Sequence, residues 1–143
     1  MKALFIFAAL VSALLVAGCQ SAESKIAGKW TGPNNMAAFE LKADKTFTSG
    51  PPLNAGGTWK LADKAVLLET TTIQGKPVKT FLDEGAKAAA KAGAPKALID
   101  TQLKNAEAMF KEMKLAMSDD GKTLTLTDPN SKQTVALTKE EKK

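Results

Sequence analysis

Cys19 is the only thiol in this chain, and the chain also lacks histidine, tyrosine and arginine. The usual acid–base group at neutral pH, the phenolic acid and the bidentate anion clamp are therefore all missing. Zinc and copper sites need imidazole or thiolate ligands, and a single cysteine cannot build one. No metal site, no cofactor and no enzymatic activity are expected. Carboxylates alone can hydrolyse glycosides, but only as a converging pair in a cleft, and the acids here fall mostly in turn-like segments. Ser24-Lys25 and Ser131-Lys132 lack the buried setting that would make a lysine a base for a serine nucleophile. Asp119-Asp120-Gly121-Lys122 lacks the alternating acids and distal glutamate of a calcium loop and reads as a hairpin turn. Thr70-Thr71-Thr72 offers hydroxyls to a sugar, or is simply a β-rich run.

The neighbours of Cys19 say more than the thiol itself. Lys2 supplies a positive end, Ala3 to Val16 an apolar stretch, and Val16-Ala17-Gly18 the small residues required beside a peptidase cut. Leu15-Val16-Ala17-Gly18-Cys19 resembles the lipobox of bacterial lipoproteins. The resemblance implies that residues 1–18 are a lipoprotein signal peptide, and that Cys19 receives a diacylglyceryl group and becomes the first mature residue. An uncleaved membrane helix is the competing reading, and the apolar run falls short of the roughly 20 residues needed to span hydrocarbon. Thioether formation would also remove the hazard of an odd thiol in an exported protein. Gln20 stands where an aspartate would favour inner-membrane retention among enterobacterial relatives. The expected location is thus the bacterial cell envelope, lipid-anchored at the outer membrane and facing the periplasm.

The formal charge of +5 comes entirely from lysine. Lysines and acids alternate, as in Lys42-Ala43-Asp44-Lys45, which describes a solvated surface and not a stripe for phosphate backbones. Nucleic acid is not an expected partner. The membrane is, through the anchor, together with a hydrophobic ligand or another envelope protein.

Something must hold the apolar groups that remain, and the residue spacing indicates a sheet. After a polar tether at residues 19–25, Ile26, Gly28 and Trp30 share a face, and Ala37, Phe39 and Leu41 alternate with Ala38, Glu40 and Lys42. Thr46 to Thr48 resumes beyond an Asp44-Lys45 turn, and a proline-containing loop spans Gly50 to Gly57. Gly57 to Leu61 and Val66 to Thr71 form a second hairpin, followed by a weaker strand around Val78 to Leu82. Between Asp83 and Glu112 the composition turns to alanine, lysine and glutamate, broken by Gly93-Ala94-Pro95, which predicts two helices. Ile99, Leu103, Ala106, Phe110 and Met113 recur at helical steps, a stripe suited to covering one end or face of the sheet. Strand period returns at Met113 to Met117, Leu124 to Leu126 and Val135 to Leu137. Residues 139–143 read as a charged tail.

The expectation is a mainly β domain over residues 26–138: an antiparallel meander of about eight strands closing as a barrel or half-barrel, with a two-helix insertion at residues 83–112 before the last three strands. Gly28-Lys29-Trp30, the hairpin Phe39 to Phe47 and Gly57-Thr58-Trp59-Lys60-Leu61 resemble the lipocalin-like group of small bacterial lipoproteins. That resemblance implies that Trp30 lies across a barrel floor, with a lysine from a late strand in the place of the arginine that caps it in lipocalins.

Trp30, Phe39, Phe47, Trp59 and Leu68 are the candidate ligand-binding residues, and they serve equally well as plain core, because a barrel of this size is either filled or just hollow enough for one small ligand. Two functions follow. The first is a membrane-anchored, non-catalytic binding module for a hydrophobic small molecule or lipid, held in the barrel interior or at its mouth with the Ile99 to Met113 helix as cover. The second is a ligand-free scaffold that docks another envelope protein.

Overall fold

The computed structural model describes residues 21–35, 38–128 and 131–141. Cys19, the lipobox around it, Gln20, Ala37 and the last two lysines of the tail lie outside the described residues.

Ser21 caps a one-turn helix α1 (Ala22–Ile26), its hydroxyl accepting the Ser24 N–H at 3.2 Å. Part of the segment expected as a tether is thus folded, because Ile26 at the end of that turn is 2% exposed and belongs to the core. Strands β1 (Gly28–Thr31), β2 (Ala38–Leu41) and β3 (Thr46–Ser49) follow, each burying one large side chain, Trp30, Leu41 and Phe47 in turn. The expected long loop is shorter than Gly50 to Gly57, since β4 (Ala55–Ala62) begins at Ala55 and pairs with β5 (Ala65–Ile73).

The weaker strand foreseen at Val78 to Leu82 is not a strand. Only Lys76–Pro77 pairs with β5, as a two-residue β6, and helix α2 (Val78–Lys91) starts immediately after Pro77. The helical insertion therefore begins at Val78 and not at residue 83. Pro77 precedes the first turn, where its missing N–H costs nothing, and Val78, Phe81 and Leu82 fall at the i, i+3, i+4 spacing of one helical face. Helix α3 (Lys96–Lys111) follows Pro95, and β7 (Met113–Met117), β8 (Thr123–Thr127) and β9 (Thr134–Lys139) complete the chain order.

Eight antiparallel strands close on themselves through the β4–β5 and β1–β9 pairings, with β6 as an extra strand beside β5. Closure leaves the eight-stranded sheet without a free edge strand. Lys139, expected in a charged tail, is instead the last residue of β9 opposite Trp30, and the Glu140 N–H donates to the Lys29 carbonyl at 2.8 Å.

A β-bulge decides which residues of β5 face inward. The β4–β5 register shifts between Gly56 and Gly57, leaving Thr71 without a direct partner. Val66, Leu68 and Thr70 follow simple alternation on the buried face, and past the extra residue it is Ile73, at 0% exposure, that joins them. Apart from Thr70, the inner wall stays apolar to its end.

The turns between strands are closed by short polar contacts. Asp44 accepts from the Thr46 hydroxyl at 2.6 Å and the Thr46 N–H at 2.9 Å. Asp120 accepts from the Ser118 hydroxyl at 2.5 Å and the Lys122 N–H at 3.0 Å. These bonds, the hydroxyl contact first in each case, hold both carboxyls below the ordinary aspartate value. With the folded value depressed, the unfolded chain takes up protons first as pH falls, so both turns stabilise the fold at neutral pH and lose that contribution below about pH 4. The double variant Asp44→Asn, Asp120→Asn is expected to show a shallower acid loss of melting temperature than the parent chain, read by circular dichroism between about pH 5 and pH 2.

Candidate functional site

Two ends of the barrel differ in how they are closed. At the α1 end the two tryptophans are tied to backbone carbonyls: the Trp30 indole N–H donates to the Ile26 carbonyl at 2.8 Å, and that of Trp59 to the Lys42 carbonyl at 2.8 Å. Trp30 lies under α1, and Gly28, at φ +143°, lets the Lys139 side chain cross directly over the backbone. The Lys139 ammonium donates to the Lys25 carbonyl. The cation–aromatic contact forms at the other tryptophan, where the Lys45 ammonium stands 4.5 Å from the Trp59 ring centroid and pairs with Glu23 of α1. The stem of Lys45 is partly exposed while its nitrogen is covered by these two partners.

The five candidate ligand-binding residues come together here, but against one another. Trp30, Phe47, Trp59 and Leu68 are 0%, 2%, 3% and 1% exposed and share one cluster with Leu41, Val66, Leu115, Leu124 and Leu137. Phe39 is half-buried at its border, its ring centroid 6.4 Å from that of Phe47 and tilted by 50°. Large side chains thus fill the body of the barrel, and of the five only Trp59 and Leu68 border a hollow, a small one of about 80 Å³.

The opposite end is covered by helices. Leu82 of α2 and Phe110 of α3 pack on Ala55 and Ile73 at the far ends of β4 and β5, flanked by Val78, Phe81, Leu103, Ala106 and Met109. Of the helical stripe predicted from Ile99 to Met113, Leu103, Ala106 and Phe110 cover the sheet, Ile99 is buried outside that cluster, and Met113 leaves the helix as the first residue of β7.

That cover is incomplete at one place. On the side of β5 away from β4, β7 pairs only as far as Leu68 and β6 only from Thr72. Between them the wall is made by helices, and a cleft of about 370 Å³ opens there, lined by Glu69, Thr70, Val78, Lys79, Leu82, Glu107, Phe110 and Lys111. A second hollow of about 80 Å³, along the β4–β5 pair beside Lys111 and Glu112, has room for only a few waters. The larger cleft is apolar at its base and charged at its rim, where Glu69, Lys79, Glu107 and Lys111 are exposed and none joins an ion pair of the described structure.

Of the lining residues, the sequence marks Phe110 as helical cover, Thr70 as a strand residue, and Val78 and Leu82 as the ends of a weaker strand. Val78 and Leu82 were masked by their assignment to a strand. Their helical spacing after a proline was the available signal. Among the described residues no three carboxylates or thiols converge as a metal-binding group. No protein-family profile, curated protein or solved structure matches this chain.

Proposed function

We propose that this protein is a lipid-anchored, non-catalytic binding module of the bacterial cell envelope, and that its filled barrel is the rigid support for a small hydrophobic molecule held at the helix-covered mouth. The observation that carries the binding reading is the cleft of about 370 Å³ with Val78, Leu82 and Phe110 at its base. Its volume lies at the lower end of the range for small-molecule sites, and it sits where a helix pair meets a barrel mouth, a place such sites favour. The anchor rests on the lipobox-like run ending at Cys19. Among the described residues no helix is long and apolar enough to cross a membrane, so attachment in this proposal falls to the lipid.

A second reading is favoured by the packed interior: the barrel is a ligand-free scaffold that docks another envelope protein. Native mass spectrometry of protein extracted from its own membrane in mild detergent separates the two. A non-covalent adduct of small-molecule mass supports the module, and the acylated chain alone supports the scaffold. The anchor is tested by Cys19→Ser in a bacterial host fed labelled fatty acid. The variant is expected to lose the label and to leave the membrane fraction. Retention of both would overturn the anchor assignment.

A further inference from the structure

The lining of the cleft contains a polar group that the fold itself does not use. Thr70 is 8% exposed, the one polar side chain in the buried class among the described residues. Its hydroxyl makes no hydrogen bond to the described protein, whereas its neighbours Thr71 and Thr72 each bond the Gly56 carbonyl, at 3.3 and 3.5 Å. A buried hydroxyl costs roughly 1–3 kcal/mol unless water or a ligand supplies the partner that the fold does not. Valine has the same shape and a higher strand preference, and would fill this position without that cost. Thr70 lines the cleft together with Val78, Leu82 and Phe110, and its oxygen is not among the fully enclosed unpaired atoms.

We infer that the cleft takes a small, uncharged, largely apolar molecule carrying one hydroxyl or carbonyl oxygen, with Thr70 as the hydrogen-bonding residue that selects for that oxygen. This rests on the reading of the mouth as a binding site and gives it a ligand class. Three features set the class. The base is apolar, so the body of the ligand is apolar. The rim holds two lysines and two glutamates, a balanced set that offers a net charge no preference. The deep polar group is a single hydroxyl, which donates one hydrogen bond and accepts others, and so matches one oxygen and not an ionised head group. That polarity points to a substituted phenol, a ketone or an alcohol in preference to an ionised fatty acid.

The test uses two molecules of one shape, p-cresol and p-xylene, which differ by a hydroxyl in place of a methyl group. Each is titrated into the full folded chain and into Thr70→Val and Thr70→Ser variants, with the methyl NMR signals of Val78 and Leu82 as the readout. Wild type is expected to bind p-cresol about five- to tenfold more tightly than p-xylene, the size of one net hydrogen bond. Thr70→Val should erase that preference while keeping p-xylene binding, and Thr70→Ser should retain it. Equal binding of both molecules by wild type, or a preference that survives in Thr70→Val, overturns the role of Thr70 and leaves the cleft a site. Absence of any shift at Val78 and Leu82 with either molecule overturns the cleft as a binding site altogether. The melting temperature of Thr70→Val is expected to equal or exceed that of the parent, so a folding failure would itself contradict an unused hydroxyl.

Discussion

Gly57→Ala is expected to be the most damaging single-methyl change in the barrel, destabilising it by more than about 3 kcal/mol and leaving little folded protein. A Cβ at residue 57 would stand 1.9 Å from the Glu69 carbonyl oxygen and 2.9 Å from the Phe47 ring. Neither neighbour can yield. The carbonyl belongs to β5 beside the bulge, and the ring is locked in the filled interior. Relief would require β4 and β5 to separate at the pairing that closes the barrel. Two controls isolate the cause. Gly56→Ala brings its Cβ to 3.0 Å from the Thr72 hydroxyl, the end of a movable side chain, and should cost far less. Gly85→Ala, in α2 with nothing within 4 Å, should stabilise by roughly 0.5–1 kcal/mol through helix propensity. Urea unfolding of the three variants measures the series, and a Gly57→Ala midpoint close to that of Gly56→Ala would refute the steric account.

Trp30→Ala is the second large effect, at about 3–5 kcal/mol. The indole is fully buried beneath α1 and tied to the Ile26 carbonyl at 2.8 Å. Its removal leaves a void among Ile26, Leu41 and Leu137 and a carbonyl without its donor. Trp30→Phe shifts the balance between the two losses, since most of the volume remains while three ring atoms, the N–H among them, go. That variant should fall near 1–3 kcal/mol. Because α1 directly follows the segment proposed to carry the lipid, the alanine variant should also expose the Ser21 to Ile26 turn to protease before the barrel body unfolds. Simultaneous cleavage and global unfolding would show that α1 and the barrel melt as one unit.

Most of the fold was legible in the sequence, and the reasons are local. Asp44-Lys45 and Asp63-Lys64 predicted tight turns, and the structure places both Lys45 and Asp63 at positive φ. Gly93-Ala94-Pro95 predicted a break between helices, and it separates α2 from α3. The largest misreading, Val78 to Leu82, carried competing signals: Val and Phe favour strands, while Pro77 and the helical spacing favour a helix. The helix prevails because its apolar face finds Ile73 and Ala55 to cover, which no propensity scale contains.

The candidate site was legible only in part. Phe39, Phe47, Trp59, Leu68 and Trp30 are indeed brought to one place, and the sequence left open whether they would surround a space or fill it. They fill it, because inward-facing aromatics and leucines on eight strands have enough volume to meet across the barrel. The apolar groups around the cleft come from two helices and one strand, distant along the chain, and their spacing around Thr70 is a matter of where β7 and β6 stop pairing with β5.

Alternation, turn residues and the switch to alanine-rich composition thus determined the antiparallel strands, their hairpins and the position of the helical insertion, since each is a property of neighbouring residues. The bulge that turns Ile73 inward, the closing partners of β1 and β5, and the gap beside Glu69 to Thr71 were decided by the tertiary structure. Each depends on how strands far apart in sequence share their hydrogen bonds once the interior volume is full.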